Sequence, residues 1–321
     1  TNGKVVTAPK LKLYDGNEIP TLGLGTWLGH GSQNPGQVEQ AVSWAIETGY
    51  RHVDTAHAYG IEEEVGRAIT KKLAEGLQRA EFFVTTKLWN TEHARDAVMP
   101  ALRSSLKKLN LNYVDLFLIH WPVGMFVNKT NDLTDNLETW RGMIEAKNLG
   151  LTKSIGLSNF NQSQIQRIFD SGLEQPAVLQ VELNLNLQPP ELLAYCRNKS
   201  ILVTAYTPFG SIFLWKAASD APPPRVDDPE LVGIAVKYNK TVPQAVLRYL
   251  VELGVVVIPK SVTKSCIEQN IDVFDFHLTE EDRALLKSYD RNYRTLAQRK
   301  WSGHPFIIPL NKLCCLRKYL N

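Results

Sequence analysis

Four side chains of complementary chemistry stand at or just beyond the ends of short apolar runs. Asp54 closes HVD, Tyr59 follows five residues later, Lys87 lies near the end of FFVTTKL, and His120 follows VDLFLI. A free phenol has a pKa near ~10, too high to give up a proton efficiently at neutral pH. An ammonium beside it stabilises the phenolate and lowers that pKa, and a carboxylate keeps the ammonium charged and oriented. A lysine and an aspartate buried at strand ends are costly unless they pair with each other. A histidine can hydrogen-bond a carbonyl oxygen and turn it toward the phenol. The set predicts proton donation to a carbonyl, with Tyr59 as the acid and no metal required. Taken singly, each group has an ordinary reading as a loop tyrosine, a core histidine or an ion pair. Only their joint placement carries weight.

Such placement needs a scaffold, and the sequence alternates between two patterns. Candidate strands are TLGLGT (21–26), HVDTA (52–56), FFVTTKL (82–88), VDLFLIHW (114–121), SIGLSN (154–159), VLQVELN (178–184), ILVTAYTP (201–208) and VVVIPKS (255–261). Continuous apolar runs of this kind describe parallel strands buried on both faces. Amphipathic stretches lie between them. QVEQAVSWAIETG places Val38, Ala41, Val42, Ala45 and Ile46 on one helical face, with Gly49 as a stop. HARDAVMPALRSSLKKL and LTDNLETWRGMIEAKNLG follow, the latter opening on a Thr/Asp cap. Eight alternations without a break in composition predict an α/β fold, a single (β/α)8 TIM barrel spanning residues 1–321. A doubly wound sheet is the rival. Its dinucleotide fingerprint fails here, because LGLGT lacks a third glycine and an acidic residue at the required distance.

Ahead of the barrel, LKLYDGNEIP predicts a hairpin turning at Asp15-Gly16 and covering the barrel bottom. Long loops are expected at about 122–133 and 209–228, the second carrying three prolines in a row, with an extended C-terminal loop at about 292–321. In such a barrel the reactive groups sit at the C-terminal strand ends. Besides the four above, Ser158, Asn159, Gln180 and Tyr206 fall there. Trp27 and Trp121 follow strands and are candidates for a pocket wall, whereas Trp44 and Trp140 lie in helices and should pack.

These residues sit inside longer stretches that resemble the aldo-keto reductase family, of the aldose and aldehyde reductase kind. GYRHVDTAHAYGIEEEVG (49–66) looks like its first signature, KSIGLSNF (153–160) its second, and IPKS (258–261) with Gln269-Asn270 its third. The match runs through nearly the whole chain in order. The resemblance implies an NADPH-dependent carbonyl reductase with Tyr59, Lys87, Asp54 and His120 as the catalytic groups. It implies cofactor contacts at Thr26, Trp27, Asp54, Ser158, Asn159, Gln180, Tyr206, Ser211, Lys260, Ser261, Val262, Thr263, Gln269 and Asn270. Within that set, Tyr206 stacks on the nicotinamide and Lys260 with Ser261 grips the adenosine 2′-phosphate. Trp27, His120, Trp121 and Trp301 are the implied substrate contacts. Where the third signature carries an arginine this chain has Cys266, which leaves NADH open as an alternative. The stretch from Trp121 to Trp140 looks short for the family, which favours bulky ketones, including a steroid such as a 3-dehydroecdysteroid of the insect branch.

Composition narrows the remaining classes. A net charge of +3 with scattered Lys and Arg argues against a nucleic-acid stripe. Four cysteines, at 196, 266, 314 and 315, show neither metal spacing nor a disulfide framework. No apolar run spans a membrane and the N-terminus is no signal peptide, so a cytoplasmic protein is expected; the family resemblance implies a monomer. Sequons at Asn128, Asn161, Asn198 and Asn239 raise secretion weakly. A non-catalytic nucleotide-binding member of the fold is the alternative function. Sugar hydrolysis would need a second carboxylate at the strand ends, and no convincing one is read there.

Overall fold

The apolar runs pair as expected, side by side and in sequence order. The computed structural model describes residues 5–29 and 34–296. It opens with an antiparallel hairpin of β1 (Lys10–Lys12) and β2 (Glu18–Pro20). The barrel strands follow: β3 (Leu24–Gly25), β4 (His52–Asp54), β5 (Phe83–Leu88) and β6 (Val114–Ile119). After a small antiparallel pair, β7 (Gly124–Met125) with β8 (Asn131–Asp132), come β9 (Thr152–Ser158), β10 (Val178–Glu182), β11 (Leu202–Tyr206) and β12 (Val256–Val257). The eight barrel strands are parallel neighbours in chain order. Bridges Leu22↔Val257 and Gly25↔Lys260 join the first strand to the last and close the ring. At that seam a Cβ on Gly25 would lie 2.7 Å from the Ile258 carbonyl oxygen, so only glycine lets the two backbones meet.

Alternation along the strands separates two cores. Phe117 and Ile119 point outward and pack under the helices, whereas Leu116 and Leu118 point inward. The inward set is completed by Phe83, Val178, Val256 and Ile258, and by Leu13 and Ile19 of the hairpin. The hairpin therefore does cover the barrel bottom. Its turn is held by the Leu13 N–H donating to the Asn17 carbonyl at 2.8 Å.

The expected helices form at Gln37–Thr48, Arg95–Leu109 and Asn136–Asn148. Val38, Ala41, Val42, Ala45 and Ile46 are all buried, and Gly49 ends the first helix at φ 120°. Asp135 caps the third, its carboxylate accepting from the Leu137 N–H. Trp140 is fully buried and donates to the Glu174 carbonyl at 2.7 Å, the packing role expected of it. Asn161, one of the four sequons, is the buried cap of helix Gln162–Asp170, engaged with Gln164.

One loop differs from expectation. Residues 122–133 contain the β7/β8 pair rather than irregular chain. Its turn closes through the Phe126 N–H donating to the Thr130 carbonyl at 2.9 Å and the Asn128 side chain accepting from the Thr130 N–H at 3.0 Å. The 209–228 stretch forms no helix or strand, as its prolines required. Most of the C-terminal loop, with Trp301, lies outside the described residues.

Candidate functional site

Parity puts the chemistry in one place. With Leu118 facing inward on β6, His120 two residues on lies over the barrel interior at its C-terminal end. The same alternation turns Asp54, Lys87, Ser158, Gln180, Glu182 and Tyr206 inward from β4, β5, β9, β10 and β11. Tyr59 arrives from a short 3-10 turn, His57–Tyr59, immediately after β4.

The Lys87 ammonium is the hub. It donates to Asp54 Oδ1 at 2.6 Å, to the Thr55 carbonyl at 3.0 Å and to the Tyr59 hydroxyl at 3.1 Å. Asp54 Oδ2 accepts from Gln180 Nε2 at 2.8 Å. Lys87 and Asp54 are 1% and 2% exposed, so the pair is satisfied almost wholly by protein. Burial would lower the Lys87 pKa, but Asp54 and Tyr59 more than offset it and hold the ammonium above its ordinary range. The phenol departs from the sequence reading. Burial raises Tyr59 above the ordinary tyrosine range, and Lys87 pulls it down without cancelling that rise. The expected effect of the ammonium is there; the net direction is opposite because the phenol is desolvated. A phenol so placed stays protonated across the neutral range.

His120 packs edge-on to Tyr59 with ring centroids 5.7 Å apart, and edge-on to Trp89 at 5.3 Å. Trp121 stacks on its other side at 6.2 Å. Burial and then the Lys87 charge hold His120 well below its usual pKa, so the ring is neutral and one nitrogen carries a proton to donate.

Beside this cluster runs a polar ledge. Ser158 Oγ donates to the Gln180 carbonyl at 3.0 Å. Asn159, held at φ 64°, donates from Nδ2 to the His120 carbonyl at 3.0 Å and accepts from the Tyr206 hydroxyl at 2.7 Å. Thr26 Oγ1 donates to the Asp54 carbonyl at 2.8 Å. Trp27 is half-buried just beyond β3. Further along the rim, Lys260 lies half-buried, and desolvation lowers its pKa. Lys216, from the loop after β11, is lowered by desolvation and by the Lys260 charge. No carboxylate bears on either ammonium among the described residues, which is the environment an anionic phosphate would fit. Ser261, Val262 and Thr263 lead into helix Lys264–Ile271, which carries Gln269 and the buried Asn270. Cys266 is an exposed free thiol on that helix. Ser211 is buried, its hydroxyl 3.3 Å from that of Thr295.

Three residues at this face escaped the sequence reading. Trp89 directly follows β5 just as His120 directly follows β6, and that shared position was the available signal. Lys216 lies in a loop already singled out. Glu182 is the strand-end carboxylate that was not found, two residues beyond Gln180. It accepts from the Thr295 N–H at 2.7 Å and the Leu296 N–H at 3.2 Å, and lies 3.5 Å from the Arg294 guanidinium. So engaged, it does not flank a cleft as a glycosidase carboxylate would. Among the described residues no group of His, Cys, Asp and Glu could hold a metal, and no helix is long and apolar enough to cross a membrane.

Comparison with known proteins agrees with this geometry. The model of the aldo/keto reductase family matches residues 21–291. A Bombyx mori aldo-keto reductase is 49% identical over 304 residues, covering 94% of this chain and 98% of the relative. Aldo-keto reductase family 1 member A1-A of Danio rerio is 45% identical over 327 residues, covering 93% and 98%. Among solved structures, a Bombyx mori aldo-keto reductase in complex with NADP superposes with a TM-score of 0.90 at 48% identity, covering 94% of this chain and 98% of that one. Another aldo-keto reductase, complexed with NADPH, gives a TM-score of 0.92 at 42% identity and covers 95% of each chain.

Proposed function

This chain belongs to the aldo/keto reductase family, and from that premise we propose that it reduces aldehydes and ketones with NADPH, using Tyr59 as the proton donor. The observation that carries the reading is the Lys87 ammonium, bonded at once to Asp54 at 2.6 Å and to the Tyr59 hydroxyl at 3.1 Å, beneath a neutral His120. When bound, NADPH supplies the hydride from its nicotinamide ring.

This chain's residues do the rest. His120 donates from its ring N–H to the carbonyl oxygen and turns it toward Tyr59. The Tyr59 hydroxyl, protonated at neutral pH, delivers its proton to that oxygen as charge develops there. The phenolate left behind faces Lys87, whose charge Asp54 secures. Trp89 and Trp121 keep water from the reacting oxygen. Asn159, Ser158 and Gln180 would hold the carboxamide of the nicotinamide, and Tyr206 would support its ring. Lys260, Ser261 and Lys216 offer charge and hydroxyls to the phosphates, with Gln269 and Asn270 on the adenine side. With Cys266 in place of an arginine, the preference for NADPH over NADH rests on the lysines and is modest.

The substrate reading is a bulky ketone, a steroid included. The support is the apolar rim: Phe126 and Val127 on the turn of the β7/β8 pair, and Leu214 and Trp215 on the loop after β11, are all exposed. The protein is read as a cytoplasmic monomer. The test follows the near-ultraviolet absorbance of NADPH or NADH during incubation with carbonyls from nitrobenzaldehyde to 3-ketosteroids. Turnover with NADPH on both classes is the expected result. Aldehyde reduction with every steroid ketone untouched would remove the steroid reading. Tight NADPH binding with no turnover on any carbonyl would leave a nucleotide-binding protein without catalysis.

A further inference from the structure

The reaction above leaves one buried charge at the barrel mouth unused. Glu182 ends β10 directly beside Tyr206 on β11 and is 1% exposed. Its carboxylate accepts from the Thr295 N–H at 2.7 Å, the Leu296 N–H at 3.2 Å and Asn184 Nδ2 at 3.2 Å, with Arg294 at 3.5 Å. So many donors on one buried group fix the chain at 294–296 across the mouth, although it lies more than a hundred residues away in sequence. The contact then continues inward. The Arg294 charge acts on the neighbouring Tyr206 phenol, whose hydroxyl donates to Asn159 at 2.7 Å, and Asn159 donates to the His120 carbonyl at 3.0 Å. Ser211, at the start of the loop after β11, meets Thr295 at 3.3 Å.

Resting on the reductase reading, we propose that Glu182 is a positioning residue for the cofactor: it holds Arg294 beside Tyr206, and through Thr295 and Leu296 it pins residues 294–296 against Ser211 at the start of the loop after β11.

The test uses Glu182→Gln in the full chain. Glutamine keeps the shape but presents an N–H₂ to donors that need an acceptor, and it removes the counter-charge of Arg294. Three readouts are taken: hydrogen exchange at residues 295 and 296, the Kd for NADPH from its fluorescence, and the kcat and KM for a carbonyl. Exchange should quicken and NADPH should bind about tenfold more weakly, while kcat moves less than about threefold. If Glu182→Gln does not fold, Arg294→Met serves. Its side chain is 20% exposed, and the change spares the backbone contacts to Glu182. It should weaken NADPH binding while leaving exchange at 295 and 296 slow. A folded Glu182→Gln with unchanged exchange and NADPH Kd overturns the proposal, as does a lowered melting temperature with both intact. Should the unaltered protein reduce no carbonyl, the reductase reading falls. A weaker NADPH Kd with faster exchange would still support the coupling.

Discussion

Replacing Tyr59 by phenylalanine separates the acid from everything else that Tyr59 does. The substitution deletes one oxygen, which touches Lys87 at 3.1 Å. Lys87 keeps its bond to Asp54 at 2.6 Å and to the Thr55 carbonyl at 3.0 Å, so the buried ammonium is not stranded. The ring keeps its place against His120. One hydrogen bond lost with the other partners intact costs about 0.5–1.5 kcal/mol, too little to unfold a chain of this size. Loss of a general acid costs ~10²–10⁴ in rate, about 2.7–5.5 kcal/mol of barrier. The variant should therefore fold, bind NADPH with a Kd within about twofold of the unaltered protein, and lose at least about a hundredfold in kcat. Fluorescence titration gives the first quantity and steady-state absorbance the second. Lys87→Met makes the contrast. It leaves Asp54 buried with Gln180 as its remaining side-chain partner, and stability should drop by about 3–5 kcal/mol alongside activity. A folded Tyr59→Phe protein that retains kcat within about threefold would show that the proton comes from elsewhere, and the reasoning from Lys87 would fail.

Two further outcomes are expected. His52 is lowered to about 4 by burial, and His120 lies well below 6.5 for the same reason, so both stay neutral in the fold where the unfolded chain takes up protons. Stability from these groups is full above about pH 6.5 and falls as the pH drops toward 4, by up to about 1.4 kcal/mol per unit for each histidine. Asp115 and Glu182, raised by burial, oppose this where the fold takes up protons on them. Urea midpoints that stay level from pH 7 to 5 would contradict the assignment. Cys266→Arg, at an exposed helical position, should raise the ratio of NADPH to NADH affinity by about tenfold, one charge-assisted contact to phosphate, without altering kcat. An unchanged ratio in nucleotide titrations would place the 2′-phosphate away from that helix.

What could be read from the sequence was what alternation and chain order determine. Asp54, Lys87, Ser158, Gln180 and Tyr206 share one parity on parallel strands, so identifying the runs was enough to bring them to one mouth. The same parity made Glu182 readable. Its role was not, because that role depends on Arg294, Thr295 and Leu296, whose approach is a tertiary event. The β7/β8 pair was invisible for a different reason. Strands of two residues carry no period, and the Asn128 turn that closes them looks like any polar loop. The direction of the Tyr59 pKa was lost because sequence shows the neighbouring charge but not how far the phenol is removed from water.

Charge pairing explains why the acid and the nucleotide preference can vary separately. At the mouth, Asp54 with Lys87 and Glu182 with Arg294 are each matched and nearly neutral as units. Matched pairs in a desolvated place orient neighbouring groups but draw little from solution. Among the described residues Lys216 and Lys260 have no carboxylate partner, and the Lys260 charge bears on Lys216 across the rim. An anion between them would remove that repulsion as well as add attraction. Substitutions on that side, Cys266→Arg included, should therefore change which nucleotide is held. The acid stays as it is, because its charges are already spoken for by Asp54, Gln180 and Thr55.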